Sequence, residues 1–233
     1  MGQESVKAVT EDPGLDLVAQ TDLGDNLSDT IKQAQAQVVV DFTTASVVME
    51  NVAEIIESGA RPVIGTSGLL PDQIFELKKL CEKYNNGGVV APNFAVGAVL
   101  MMKYAQDAAK YFPNVEVIEL HHDRKIDAPS GTAISIAEAA SSKKDQKYKQ
   151  NIAEKQTIKN TRGGDLDGVQ IHSARMPGRV ARHELVFGGL GQTFIMIHDS
   201  IDRNSFMPGV ILGVKEIISH EDFVIGLDKI MGI

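Results

Sequence analysis

Short apolar runs alternate with amphipathic stretches over about the first ninety residues, and this alternation restricts the fold more than any other feature. Four apolar runs predict strands, at residues 15–19, 38–42, 62–65 and 89–91. Between them, apolar residues recur at helical spacing over 45–58 and 72–84, which predicts two helices. Strands that alternate with helices of this length form βαβ units with a parallel sheet. We therefore predict a Rossmann-like α/β domain.

The pattern changes after about residue 94. Helices are predicted at 95–112, 130–140 and 205–219, and an alternating strand at 115–120. Residues 141–164 are Lys-rich and lack periodicity, which predicts an extended, solvated loop. Three further alternating stretches, at 169–175, 180–187 and 193–197, are joined by Pro-Gly and Gly-rich turns and predict antiparallel hairpins.

These two patterns predict two domains. Residues 1–93 and 208–233 would form a dinucleotide-binding domain with a parallel sheet. Residues 94–207 would form an inserted α+β domain with a mostly antiparallel sheet.

Composition narrows the functional class. The chain has 233 residues and a formal net charge of −8, which argues against nucleic acid or an anionic membrane as a partner. No apolar run approaches the roughly 20 residues that span a bilayer. The single cysteine, Cys81, lies at helical spacing from apolar residues and has no partner for an internal disulfide. This predicts a buried thiol and a cytoplasmic location, because a reducing compartment keeps thiols unpaired.

The densest cluster of reactive side chains is the segment ELHHDRKIDAPSGT. His121, His122 and Lys125 follow a predicted strand, and Gly131 and Thr132 open a predicted helix. The first N–H groups of a helix carry partial positive charge and bind anions, so this opening predicts a carboxylate site. A histidine exchanges a proton near neutral pH. A proton donor beside an anion site suits the reduction of a conjugated imine-type acid, in which a proton follows the hydride.

Two simpler interpretations of this segment stay open. Adjacent histidines suggest a metal pair, but consecutive strand residues face opposite sides of a sheet and no third ligand is well spaced, so we predict no metal. Ser130 before Gly131 and Thr132 is also typical of an ordinary helix N-cap. The full pattern HH-x-x-K-x-D-A-P-S-G-T is much more specific than either fragment.

This block resembles the signature of the 4-hydroxy-tetrahydrodipicolinate reductases, formerly called dihydrodipicolinate reductases. Other blocks are similar in the same order: VVVDFT, GTSG, APNFAVG, RGGDLDGVQIHSAR, HDS and SFMPGV. The resemblance spans essentially the whole chain and implies a Rossmann domain with a tetramer-forming substrate domain. It also implies reduction of 4-hydroxy-tetrahydrodipicolinate to tetrahydrodipicolinate with NADH or NADPH, in lysine biosynthesis through diaminopimelate.

The resemblance implies a role for each residue of the cluster. His121 would be the proton donor, and Lys125 would both aid catalysis and bind the substrate. His122, Gly131 and Thr132 would hold the carboxylates of this small dicarboxylate.

Candidate cofactor residues lie at the ends of predicted strands, where an open α/β sheet places its ligand crevice. They are Gly65, Thr66, Ser67, Ala91, Pro92, Asn93 and Phe94, and the resemblance places the last four beside the nicotinamide. Asp22 would bind ribose hydroxyls, although its position equally suits a turn. Because Leu23 and not an arginine follows it, we expect NADH to be used at least as well as NADPH.

The N-terminus departs from the family pattern. Met1 and Gly2 resemble the last residues of the family's Gly-rich loop, so Met1 is a further candidate cofactor residue. The strand and the phosphate-binding glycines that precede this point in the family are absent. We therefore expect a shortened chain that binds its cofactor poorly.

Two other functions fit parts of the sequence. One is a related Rossmann dehydrogenase acting on another amino-acid-derived acid such as L-aspartate, against which the HH-x-x-K and PSGT block counts. The other is a catalytically silent module that still assembles through its antiparallel domain.

Overall fold

A computed structural model describes residues 1–144, 146–148 and 153–233. The chain divides into two compact units, Met1–Val96 with Arg203–Ile233, and Gly97–Asp202. Across the described residues, every helix is too short or too polar to cross a lipid bilayer.

The first unit, all of it described, is a parallel sheet with helices. Its helices are α1 (Gly2–Glu11), α2 (Leu27–Ala34), α3 (Val48–Glu57), α4 (Pro71–Tyr84), α7 (Met207–Ile217) and α8 (Leu227–Ile230), and a short 3-10 helix, Arg203–Phe206, precedes α7. Its strands are β1 (Val38–Asp41), β2 (Arg61–Ile64), β3 (Gly88–Val90) and β9 (Phe223–Ile225). They pair in parallel in the order β1-β2-β3-β9, which confirms the predicted α/β fold.

Apart from one charged residue at the end of β1 and one at the start of β2, the strands of this sheet are apolar, because helices cover a parallel sheet on both faces. The apolar stripe of α3 packs with α4 and with the sheet through Val52, Ile56, Ile64 and Leu77. Cys81 lies in the same cluster and is buried, as predicted. Burial raises the pKa of its thiol to about 12, so Cys81 packs as an apolar group and is not a nucleophile.

Residues 15–19 do not form a strand, and this prediction was wrong. The segment pairs with no strand among the described residues, and Leu17 and Val18 are 37% and 54% exposed. An apolar pattern becomes a strand only where a neighbour accepts and donates its backbone hydrogen bonds.

The second unit is a mixed sheet with helices. Its elements are α5 (Val96–Ala108), β4 (Asn114–His121), α6 (Gly131–Ser142), β5 (Gly164–Leu166), β6 (Val169–Arg175), β7 (Ala181–Gly189) and β8 (Gln192–Ser200). In its described part, the strand order is β5-β6-β4-β7-β8, and β4 pairs with β6 in parallel while the other pairs are antiparallel. The predicted mostly antiparallel α+β sheet is therefore confirmed.

The predicted hairpin between the stretches 169–175 and 180–187 is wrong. Strand β4 lies between β6 and β7 and bonds to both. The hairpin partner of β6 is β5, through a tight turn in which Asp167 and Gly168 have φ values of 50° and 89°. Asp-Gly is a preferred pair for this turn because both positions need positive φ. The hairpin of β7 with β8 is confirmed.

The segment 141–164 is only partly a solvated loop. Helix α6 continues to Ser142, and Tyr148 is buried with its hydroxyl donating to the Ala140 carbonyl at 2.7 Å. Lys144 donates to the carbonyl oxygens of Ala109 and Phe112. Residues 145 and 149–152 lie outside the described residues.

The core of this unit lies between the sheet and its helices. Small residues of α6, Ala133, Ala137 and Ala140, pack in one cluster with Val117 and Leu185 of the sheet. Small side chains let the helix approach closely, and α6 lies in contact with β4 and β6.

Candidate active site

Strand β4 places an acid beside the predicted proton donor. Buried residues alternate along it, so Val115, Val117, Glu119 and His121 share its inner face. The valines enter the core, and the two polar residues continue the same face, with Glu119 0% and His121 7% exposed. His121 is therefore held in a nearly dry position next to a carboxylate.

Glu119 is hydrogen-bonded on both oxygens. Its Oε2 contacts Nδ1 of His121, and its Oε1 accepts from Nη2 of Arg175 at 2.8 Å. Arg175 is the β6 neighbour of His121 in the strand register. Burial opposes ionisation of Glu119, but the hydrogen bonds from His121 and Arg175 outweigh it and lower the pKa of Glu119 to about 2. Glu119 is thus a carboxylate at neutral pH.

A second buried histidine lies against the first. His183 on β7 is directly opposite Glu119, and its ring meets the His121 ring edge-on at 5.2 Å between centroids. Its Nε2 lies 3.3 Å from the Ser130 hydroxyl oxygen. Burial and the neighbouring His121 lower the pKa of His183 to about 4, so His183 is neutral at pH 7.

The loop after β4 carries the predicted cation. Nζ of Lys125 lies 2.7 Å from Oδ1 of Asp127, and this hydrogen bond lowers the pKa of Asp127. Arg175 also donates to the Asp127 carbonyl at 2.6 Å. The same guanidinium also donates to Glu119. Arg175 therefore connects the loop that carries Lys125 with the hydrogen-bonded pair of Glu119 and His121.

The start of α6 is capped, and the space beside Gly131 is open. The Ser130 hydroxyl accepts from the Ala133 N–H at 3.1 Å, so the simple capping interpretation of Ser130 is confirmed. Gly131 is exposed, and a Cβ built on it would meet no atom within 4 Å of the described structure. Packing therefore does not require glycine there.

One chain of contacts joins the predicted parts. It runs from Lys125 through Asp127 and Arg175 to Glu119 and His121, and from His121 through His183 to Ser130 at the helix start. His122 adds a buried Nδ1 that has no hydrogen-bond partner within the part of the chain that the structure describes. The segment 121–132 is thus organised around a buried histidine, a cation and a helix opening.

Sequence reasoning missed Glu119, Arg175 and His183. Glu119 had a readable signal, because it continues the Val115, Val117 alternation onto the face of His121. Glu119, His121 and His183 bring potential metal-ligand atoms within 4.8 Å of one another, a grouping that the sequence did not indicate. We regard this group as a hydrogen-bonded network and not a metal centre, because both oxygens of Glu119 are already bonded within the chain.

In the first unit, a buried acid organises the carboxyl end of the sheet. Asp41 ends β1, is 4% exposed, and accepts from the hydroxyls of Thr43 and Thr66 and from the Asn51 amide. The Thr66 oxygen also accepts from the Thr43 N–H at 2.7 Å. Thr66 was predicted as a cofactor residue, whereas Asp41, Thr43 and Asn51 were missed. A signal was present in the sequence, because Asp41 and Thr43 follow the apolar run at 38–40.

The remaining predicted cofactor residues lie around this sheet edge or near the N-terminus. A Cβ on Gly65 would lie 2.0 Å from the Phe42 ring, so glycine is needed there for packing. Phe42 also meets Phe94 edge-on at 6.0 Å, and Asn93 accepts from the Ala95 N–H at 2.8 Å.

The other predicted cofactor residues differ in how exposed they are to solvent. Ala91 is buried, Ser67 and Pro92 are exposed, and Asp22 lies in an exposed turn where its Oδ1 accepts from the Leu23 N–H at 2.7 Å. Met1 is the N-cap of α1. The hydroxyl and backbone groups at the ends of β1, β2 and β3 fit the uncharged nicotinamide and ribose parts of a dinucleotide.

Two family models match nearly the whole chain. The model described as "Dihydrodipicolinate reductase, N-terminus" matches residues 1–94, and "Dihydrodipicolinate reductase, C-terminus" matches residues 97–231. The chain belongs to the dihydrodipicolinate reductase family. The resemblance seen in the sequence is confirmed.

Individual relatives agree with the family. The chain is 45% identical to the 4-hydroxy-tetrahydrodipicolinate reductase of Streptococcus pneumoniae serotype 19F (strain G54), over 99% of this chain and 95% of the relative. It is 46% identical to the enzyme of the same name from Streptococcus gordonii, with the same coverage.

Solved structures show the same likeness. A dipicolinate-bound dihydrodipicolinate reductase from Paenisporosarcina sp. TG-14 is 39% identical, with a TM-score of 0.88 over 98% of this chain and 94% of that one. An amine dehydrogenase from Mycobacterium smegmatis is 12% identical, with a TM-score of 0.65 over 97% of this chain and 92% of that one, and it shares the fold alone.

Proposed function

We propose that this reductase converts 4-hydroxy-tetrahydrodipicolinate to tetrahydrodipicolinate with NADH or NADPH, in the diaminopimelate route to lysine. The observation that carries the proposal is the contact chain from Lys125 through Glu119 and His121 to the capped start of α6. It combines a proton donor with cationic and backbone anion sites, inside a chain that is 45% identical to named reductases of this substrate.

The substrate needs groups that bind carboxylates at two ends. Gly131 and Thr132 at the opening of α6 would hold one carboxylate, because the first N–H groups of a helix carry partial positive charge. Lys125 would bind the substrate by exchanging Asp127 for a substrate carboxylate, and the buried Nδ1 of His122 would add a polar contact. Dipicolinate, the ligand in the Paenisporosarcina structure, has the same two-carboxylate chemistry.

His121 would supply the proton. Conversion of 4-hydroxy-tetrahydrodipicolinate to tetrahydrodipicolinate consumes one hydride and one proton and releases the 4-hydroxyl group as water. The nicotinamide cofactor, when bound, would supply the hydride, so the protein must deliver the proton to the reduced imine-type system. Glu119 holds Nδ1 of His121, which leaves Nε2 to give the proton. Neutral His183 beside it adds no competing positive charge.

The cofactor would bind to the first unit. Thr66 and Ser67 would face the ribose and nicotinamide groups, and Gly65 and the backbone of 91–94 would border them. Met1 would lie near the phosphates, and Asp22 would accept from ribose hydroxyls. Since Leu23 follows Asp22, we expect NADH to be used at least as well as NADPH; a many-fold lower KM for NADPH would contradict this.

The enzyme would be a homotetramer in the cytoplasm. Strand β8 is an edge of its sheet in the described structure, and Phe194, Ile195 and Ile197 on it are 41%, 49% and 54% exposed. Exposed apolar edges are sites of association. Light scattering should give four times the chain mass of 25.2 kDa, and a chain that stays monomeric would contradict assembly.

The activity is tested by a substrate panel. The chain should oxidise NADH or NADPH with 4-hydroxy-tetrahydrodipicolinate and should not reduce NAD or NADP with L-aspartate. Preference for another acid would show that the chain catalyses a different reaction with the same fold.

A further inference from the structure

We propose that Glu119 is a positioning residue that fixes the protonation geometry of His121, and that Arg175 anchors Glu119 for this task. The inference rests on the proposed function, in which His121 gives a proton. It deepens that function by naming residues that act through His121 without touching the substrate.

The geometry allows one orientation of the imidazole. Glu119 is fully buried and approaches Nδ1 of His121, so a neutral His121 keeps its proton on Nδ1 and presents Nε2. A carboxylate next to a histidine also stabilises the imidazolium, as in catalytic triads of hydrolases. Proton donation then comes from Nε2, and the proton on Nδ1 stays with Glu119.

Arg175 prevents Glu119 from turning away. Its Nη2 donates to Glu119 Oε1 at 2.8 Å and to the Asp127 carbonyl at 2.6 Å, and Nη1 donates to the Ala174 carbonyl at 2.8 Å. The guanidinium is thus fixed by backbone on two sides. An acid held in this way is preorganised, because it does not have to reorient when His121 changes charge.

The polar and charged groups around the His121 imidazole come from several elements. Glu119 comes from its own strand, Arg175 from β6 and neutral His183 from β7. The Lys125–Asp127 pair comes from the following loop, and α6 contributes the uncharged Ser130 at its N-cap. Of these groups, Glu119 is the anion in contact with the imidazole.

The substitution Glu119→Gln removes this charge with little change of shape. Because Arg175 needs an acceptor, the amide oxygen would face Arg175 and the NH₂ would face Nδ1 of His121. An NH₂ cannot accept from an imidazolium, so the protonated donor is disfavoured. We expect turnover near pH 7 to fall about 10²-fold or more. The alkaline limb of the kcat profile should move to lower pH, because the amide no longer stabilises the charged donor.

The same strand offers a matched control. Glu116 also accepts from an arginine and a histidine, with Arg162 at 2.5 Å and His172 at 2.8 Å. It lies on the other face of β4 and does not contact His121. Glu116→Gln should leave the kcat profile unchanged. Equal profiles for both variants and the wild type would refute the role of Glu119.

A measurement on the wild-type chain keeps the inference testable if Glu119→Gln fails to fold. In ¹⁵N-histidine NMR, assigned with a His121→Ala chain, the neutral imidazole of His121 should carry its proton on Nδ1 and leave Nε2 without one. A neutral His121 with a bare Nδ1 would overturn the inference. This readout is independent of turnover, so an inactive wild-type chain would count against the proposed function alone.

Discussion

Replacing Gly131 by alanine should separate substrate binding from folding. The added Cβ would meet no atom within 4 Å in the described structure, and no positive φ is recorded for Gly131, so the variant should fold. Alanine costs less conformational entropy than glycine in a helix, which should raise the free energy of unfolding by about 0.5 kcal/mol.

The same open space is where a substrate carboxylate would approach the helix opening. A methyl group there keeps an oxygen from the short contact of about 2.9 Å that a hydrogen bond to the backbone needs. Loss of one charge-assisted hydrogen bond costs about 1.5–3 kcal/mol, which corresponds to a KM about 10- to 150-fold higher. The value of kcat should change little, because His121 and Glu119 are untouched.

Steady-state kinetics and calorimetric titration with dipicolinate would measure the two effects. Gly188→Ala is the control, since its Cβ would be 3.8 Å from Asn114, at the opposite end of β4 from His121. It should keep the wild-type KM. If Gly131→Ala is stable and binds both ligands as tightly as the wild type, no carboxylate binds at this helix opening.

Three further results follow from the same site. His121→Ala should lower kcat by about 10²–10⁴-fold, the usual contribution of a general acid, and near-normal turnover across pH would contradict its role. Thr132→Val should weaken substrate binding by the free energy of one charge-assisted hydrogen bond, about 1.5–3 kcal/mol, and so raise KM. An unchanged KM would count against the carboxylate site. His183 has a folded pKa of about 4, against about 6.5 when unfolded, so acid favours the unfolded chain. The free energy of unfolding of the wild type should fall by about 3 kcal/mol as pH falls from about 6.5 to about 4. Above pH 6.5, His183 should cause no such loss. Urea unfolding of His183→Gln should lack this loss; an unchanged pH dependence would show that His183 does not cause it.

Local patterns in the sequence were enough to predict the parallel sheet and the reactive segment. Residues 38–40 and 62–64 are all apolar because helices cover both faces of that sheet. The residues from His121 to Thr132 are adjacent in the chain, so their common location follows from one strand end and one helix start.

Contacts made across strands were not predictable in this way. His183 reaches Glu119 only because β4 enters the sheet between β6 and β7, and no local pattern indicates that order. The Pro-Gly turn after β6 suggested a hairpin instead. Residues 15–19 have a strand-like composition, yet a strand also needs a hydrogen-bonding neighbour, which composition does not reveal.

The central claim is tested most directly by following nicotinamide oxidation by the purified chain with 4-hydroxy-tetrahydrodipicolinate, at saturating NADH or NADPH, with the product identified by mass spectrometry. The account predicts substrate-dependent oxidation that yields one tetrahydrodipicolinate per nucleotide consumed, and its loss in His121→Ala. A folded chain that binds dipicolinate but oxidises neither nucleotide with this substrate would contradict the account.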